Sequence, residues 1–205
     1  MKQPKYSLRF NPNPEWSGHY RGNRYLFGLM KFISLIEERY IDKKELKICE
    51  IGSYKGESTF LFAASNIFTE IHCIDPFVGD FDDSDIINNW DEVKREFWTN
   101  TRYFNNIKLH QDFSYNMASK FPDNYFDVVY IDGSHDYEDV KQDIELFLPK
   151  ISKNGIISGH DYTFSIWPGV VQAVDEKFGA DKIYKFPDES WAYFIGIQHD
   201  THIYL

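Results

Sequence analysis

The run Lys47-Ile48-Cys49-Glu50-Ile51-Gly52-Ser53-Tyr54-Lys55-Gly56-Glu57-Ser58-Thr59 constrains this chain more than any other stretch. Leu46, Ile48, Cys49 and Ile51 read as a short buried strand, residues 60–64 as apolar helix, and Gly52 and Gly56 bracket the turn between them. Glycine accepts positive φ without strain and lets a ligand approach the backbone with no Cβ in the way. The turn is a candidate binding site.

Charge limits what the turn can hold. Dinucleotide pyrophosphate rests on a helix N-terminus after G-x-G-x-x-G, but here the spacing is G-x-x-x-G and Glu57 falls in the first helical turn. Glu50 and Glu57 would repel an anion, which argues against a nucleotide-binding oxidoreductase. A ligand carrying an ammonium or sulfonium group would instead find Glu50 useful.

The rest of the chain alternates strand and helix. Leu26, Leu29, Met30, Ile33 and Ile36 recur at helical spacing within residues 23–40. Residues 70–75 read as the second strand, and Asp75 closes it where nucleoside-binding folds of this type grip ribose hydroxyls. Asp80, Asp82, Asp83 and Asp85 lack the glycine and glutamate of an EF-hand, so they read as a solvated loop. Ser84 is placed to cap a helix whose apolar stripe is Ile86, Ile87, Trp90, Val93 and Phe97. Ile107–His110 reads as the third strand, followed by a helix over residues 114–121. Phe126–Ile131 is the fourth strand, before a helix with Val140, Ile144, Phe147 and Leu148 on its core face. Gly155 turns the chain into a fifth strand at residues 156–159; a helix over 170–178 and strand candidates at 182–186 and 191–198 complete the chain. The pattern predicts an α/β fold: a Rossmann-like, doubly wound, mostly parallel sheet with helices on both faces.

Glu50, Gly52, Gly56 and Ser58 match E-x-G-x-x-x-G-x-S, and in this the chain resembles the class I S-adenosylmethionine-dependent methyltransferases. The runs I-D-G-S-H-D-Y-E-D-V-K-x-D from Ile131 and G-I-I-S-G-H-D-Y from Gly155 are similar to a branch with many small-molecule and sugar-modifying members. The resemblance spans residues 46–162. It implies S-adenosyl-L-methionine as cofactor, with Glu50, Gly52, Ser53, Gly56, Ser58, Asp75 and Pro76 as candidate contacts, and an antiparallel C-terminal strand. In the family a polar residue after the third strand meets the adenine amine; Asp112 is the matching position, with Phe113 beside it.

If the fourth and fifth strands are neighbours, as the family order has them, Asp132 and Asp161 stand side by side. Two facing carboxylates repel unless a proton or a cation lies between them, and Mg²⁺ prefers such oxygen ligands. Catechol-type O-methyltransferases hold a metal between two aspartates at these strand ends, with a base three residues after the first. The resemblance therefore implies Asp132 and Asp161 as metal ligands, with Asp132 also meeting the cofactor. His135 would be the base that takes the acceptor's proton before in-line attack on the sulfonium methyl, with His160 as its alternative. Tyr162 stands where that subgroup supplies an amide ligand, so Mg²⁺ dependence stays open.

Composition narrows the partners. With 32 acidic against 22 basic residues in 205, the net charge of −10 opposes nonspecific attraction to nucleic acid or anionic membrane. No apolar run is long enough to span a bilayer and the start lacks a secretory pattern, so a cytoplasmic protein with a small-molecule or sugar substrate is expected. Whether it forms a homo-oligomer stays open. Cys49 and Cys73 fall in predicted strands without C-x-x-C spacing, and read as small buried hydrophobes. Residues 1–40 are expected to form an aromatic arm or lid and a packing helix, and residues 41–205 a single S-adenosylmethionine-binding domain. Residues 10–20, 77–85 and 162–167, irregular and aromatic, are expected to shape the acceptor pocket. A non-catalytic methyltransferase-like domain that only binds a nucleoside or a partner stays an alternative.

Overall fold

Every strand predicted up to the fifth is present in the computed structural model, which describes residues 23–78 and 89–196. In chain order the elements are α1 (Asn23–Arg39), β1 (Leu46–Ile51), α2 (Glu57–Ala64), β2 (Phe68–Ile74), α3 (Trp90–Thr101), β3 (Ile107–His110) and α4 (Ser114–Met117). There follow β4 (Phe126–Ile131), α5 (Tyr137–Phe147), β5 (Ile151–Gly159), α6 (Pro168–Phe178), β6 (Tyr184–Lys185) and β7 (Trp191–Phe194). They build a seven-stranded sheet in the order β3-β2-β1-β4-β5-β7-β6. The first five strands pair in parallel, whereas β7 runs antiparallel to β5 and β6 antiparallel to β7.

Alternation along each strand explains how both faces are covered. Ile48, Ile71, Cys73, Val128, Tyr130 and Ile156 point to one side, where Phe32 and Ile36 of α1, Phe62 of α2 and Phe97 of α3 meet them. Cys49, Ile51, Ile74, Val129, Ile131 and Ile157 point to the other, against Val140, Ile144 and Phe147 of α5 and Val174 of α6. A parallel sheet buried on both faces needs this near-continuous apolar content. Cys49 and Cys73 are free and buried, as their positions predict.

The structure departs from the sequence reading in four places. Strand β5 begins at Ile151 and Gly155 lies within it, because the pairing with β4 shifts register between Phe126 and Val128 and takes up the irregularity. Helix α3 begins at Trp90, where the Asn89 side chain accepts the amide N–H of Asp91 and Glu92; the expected cap Ser84, with Ile86 and Ile87, lies outside the described residues. Residues 114–121 divide into α4 and a 3₁₀ turn, Ala118–Lys120. Helix α5 ends at Phe147, and Leu148, which still packs against that core, opens a 3₁₀ turn because Pro149, lacking an N–H, cannot continue the helix. The arm of residues 1–22, the aspartates at 80–85 and the end of the last predicted strand likewise lie outside the described residues.

Candidate functional site

Strand order reverses between β1 and β4, so a crevice opens beyond their carboxyl ends, where ligands settle in open α/β sheets. Backbone hydrogen bonds carry the ladder past the strands into the candidate residues. The Gly52 N–H donates to Ile74 O at 2.9 Å, Asp132 N–H to Ile51 O at 2.8 Å, and His160 N–H to Ile131 O at 3.0 Å. The sheet thus fixes the height of each functional residue along one edge.

Gly52 has φ +81°, and a Cβ on it would overlap the carbonyl oxygen of Asp132. Its glycine is required first by the approach of β4's end. Gly56, at φ +77°, caps α2 in the left-handed region, and a Cβ there would press on Phe97. Between them the turn is tied down by Asp75, whose Oδ2 accepts the N–H of Ser53 at 3.0 Å and of Tyr54 at 2.7 Å. Its Oδ1 accepts the N–H of Phe77, also at 2.7 Å. Asp75 is 6% exposed, and burial raises its pKa against the lowering effect of these donors. Pro76 follows directly.

Glu50 presents no atom to the crevice. It is fully buried, and its two carboxylate oxygens accept the hydroxyls of Ser58 and Thr59 from the first turns of α2. Burial raises its pKa, with those hydroxyls working the other way. Glu50 therefore clamps α2 to β1 at the level of the turn.

On the far side of β2, Asp112 Oδ1 accepts the Phe113 N–H and the Asn116 side chain, both at 2.8 Å, and these donors lower its pKa. The rings of Phe113 and Tyr115, both partly exposed, stack at 5.2 Å. Beneath them Ser114 donates its hydroxyl to the buried Asp143 of α5.

The ends of β4 and β5 bring Asp132, His135, His160 and Asp161 together. His135 Nε2 lies 2.8 Å from Asp161 Oδ2, and His160 Nδ1 lies 3.2 Å from Asp161 Oδ1 and 3.9 Å from Asp132 Oδ1. Ligand atoms of Asp132, His135 and Asp161 all lie within 4.8 Å of one another, a spacing at which the two carboxylates can share one metal ion with His135 at its side. Asp161 holds φ +62°, a strained conformation for a residue other than glycine and one that aspartate tolerates better than most. Burial pushes the Asp132 carboxyl up to about 7, with the Asp161 charge adding to it. Burial acts upward on Asp161 too, but the hydrogen bonds from His135 and His160 hold it below the usual carboxylate range. His160 is pushed up to about 10: burial works against its charged form, and the Asp161 hydrogen bond and the Asp132 charge outweigh it.

Sequence reasoning placed Trp167 in a pocket-shaping segment without its partner, and missed Trp191. Trp167 stacks on the His135 ring, centroids 3.9 Å apart and planes 23° from parallel, fixing the imidazole plane. Trp191 of β7 is buried beside Gly159. Neither contact has a spacing signal, because each joins elements distant in the chain. Tyr162, expected near the metal, instead turns its hydroxyl to Asp175 of α6 at 2.5 Å.

A doubly wound sheet, a glycine turn at its reversal point and an acid closing the second strand define a class I methyltransferase fold. The chain belongs to the methyltransferase domain family, whose model matches residues 49–162. Among solved structures it is similar to the O-methyltransferase NovP, at 18% identity and TM-score 0.62, covering 82% of this chain and 78% of that one. It is also similar to CalS11, a TDP-rhamnose 3'-O-methyltransferase of calicheamicin biosynthesis, at 16% identity and TM-score 0.63, covering 86% and 82%. Among curated sequences it is 30% identical over 145 residues to uncharacterized protein R132 of Acanthamoeba polyphaga mimivirus. It is 27% identical over 180 residues to uncharacterized protein y4gI of Sinorhizobium fredii. The matches take in 66% and 82% of this chain but span only 60% and 17% of those two relatives. No described helix is long and apolar enough to cross a membrane.

Proposed function

We propose that the protein is an S-adenosylmethionine-dependent O-methyltransferase acting on a hydroxyl of a small molecule or sugar. The observation that carries this reading is the gathering of Asp132, His135 and Asp161 beside the β1 turn, on the edge where the fold places ligands. The donor's methionine part would lie over the turn of Gly52, Ser53 and Gly56. Asp75 would offer its remaining lone pairs to the ribose, and Asp112 and Phe113 would meet the adenine. Glu50 and Ser58 act at one remove, by holding the shape of that turn.

Asp161 orients the His135 ring through Nε2, so the lone pair that takes the acceptor's proton is on Nδ1. Trp167 prevents that ring from turning out of its plane. The Asp132 and Asp161 carboxylates fit a divalent ion, which when bound would lower the pKa of the acceptor hydroxyl. His160 Nδ1 is already engaged between the two aspartates, so His135 is the better base.

The test is calorimetric titration with S-adenosylhomocysteine, with NADH as the comparison. Saturable heat with the first and none with the second is expected. Silence with S-adenosylhomocysteine from folded protein would overturn the proposal. The curated relatives being longer, the acceptor is sought in a broad hydroxyl screen followed through S-adenosylhomocysteine release.

A further inference from the structure

Resting on the metal-assisted reading above, we propose that the ion taken by this site is a first-row transition metal ion, with His160 Nδ1 as its nitrogen ligand beside Asp132 and Asp161. His160 Nδ1 lies 3.2 Å from Asp161 Oδ1 and 3.9 Å from Asp132 Oδ1, so its nitrogen stands between carboxylate oxygens from two adjacent strand ends. Asp161 divides its two oxygens: Oδ1 faces His160, and Oδ2 holds His135. The base and the ligand set therefore use different atoms of one carboxylate. An all-oxygen set suits Mg²⁺, which dehydrates reluctantly; an imidazole in the set favours Mn²⁺, Fe²⁺, Co²⁺ or Zn²⁺.

A separate observation marks the same spot. Asp132, His135, His160, Asp161 and Trp191 line one small cavity of about 10 Å³, room for a single water. The indole N–H of Trp191 is buried there and has no acceptor among the described residues. A buried donor left in this way is costly, and a water seated between it and the two carboxylates would serve as its acceptor.

The full chain is titrated calorimetrically with CoCl₂, MnCl₂ and MgCl₂, and the visible absorption of the Co²⁺ complex is recorded. Co²⁺ is expected to bind at least about tenfold more tightly than Mg²⁺. His160→Asp, which makes the set all oxygen, should erase that preference and change the Co²⁺ spectrum. His135→Gln should leave the spectrum as it is. Equal affinities, absence of binding by any of the three ions, a His160→Asp spectrum like that of the parent, or a spectrum lost in His135→Gln would each overturn the assignment. S-adenosylhomocysteine titration of the same preparations reports folding and tests the cofactor separately. Cofactor binding without metal preference overturns this inference alone, and metal preference without cofactor binding overturns the methyltransferase reading alone.

Discussion

Asp143 gives the most quantitative test of the site's foundations. It is 6% exposed on α5, and its Oδ1 accepts the Ser114 hydroxyl at the start of α4, under the segment that carries Phe113. Burial, helped by the Asp139 charge and opposed by Ser114, pushes its pKa from 3.8 to about 6. The folded protein thus binds this proton more tightly than the unfolded chain does. Stability from this carboxyl is complete below 3.8 and is lost as the pH climbs through about 6. At neutral pH the charged form costs about 3 kcal/mol as an upper figure. Asp143→Asn removes the charge and keeps an oxygen for Ser114. It should stabilise the protein at pH 8 by about 1–3 kcal/mol, a rise in melting temperature of roughly 3–9 °C for a chain of this size. Near pH 4 parent and variant should converge. Melting curves across that range decide the matter: a constant difference, or a variant less stable than the parent at pH 8, would refute the reasoning. Affinity for S-adenosylhomocysteine should be unaffected, since Asp143 supports the segment from below.

Two further substitutions probe the donor side. Thr59→Val leaves the buried Glu50 with one hydroxyl donor fewer and should destabilise the fold by about 1–3 kcal/mol, measured by urea unfolding; an unchanged midpoint would mean that the clamp contributes little. Phe113→Ala should weaken S-adenosylhomocysteine binding by up to roughly tenfold with the melting temperature unmoved. Calorimetry showing equal affinity would remove Phe113 from the adenine site.

The sheet was legible because its signal is local: five short apolar runs, four of them closed at once by a glycine or an acid, separated by helical periodicity. The same logic found Asp132 and Asp161, since a residue just beyond a parallel strand can only lie on the ligand edge. Glu50 was read as facing a ligand because it is charged. The neighbouring Ile48, Cys49 and Ile51 held the better clue, for a strand apolar on both faces has no exposed side for it. Ser84 was read as the cap of α3 where Asn89 serves, and residue type alone does not separate the two, since serine and asparagine cap equally well. The stack of Trp167 on His135 and the placement of Trp191 were out of reach, being created when β7 turns back along β5 and α6 docks beside α5.

At Gly52 the β1 turn lies directly against the backbone of Asp132, with no side chain between them. Cofactor and acceptor would therefore be seated on a single unyielding block, and their relative placement would be inherited from the fold rather than assembled at each turnover. On the proposed reading, the distance over which the methyl travels would be set by the sheet itself.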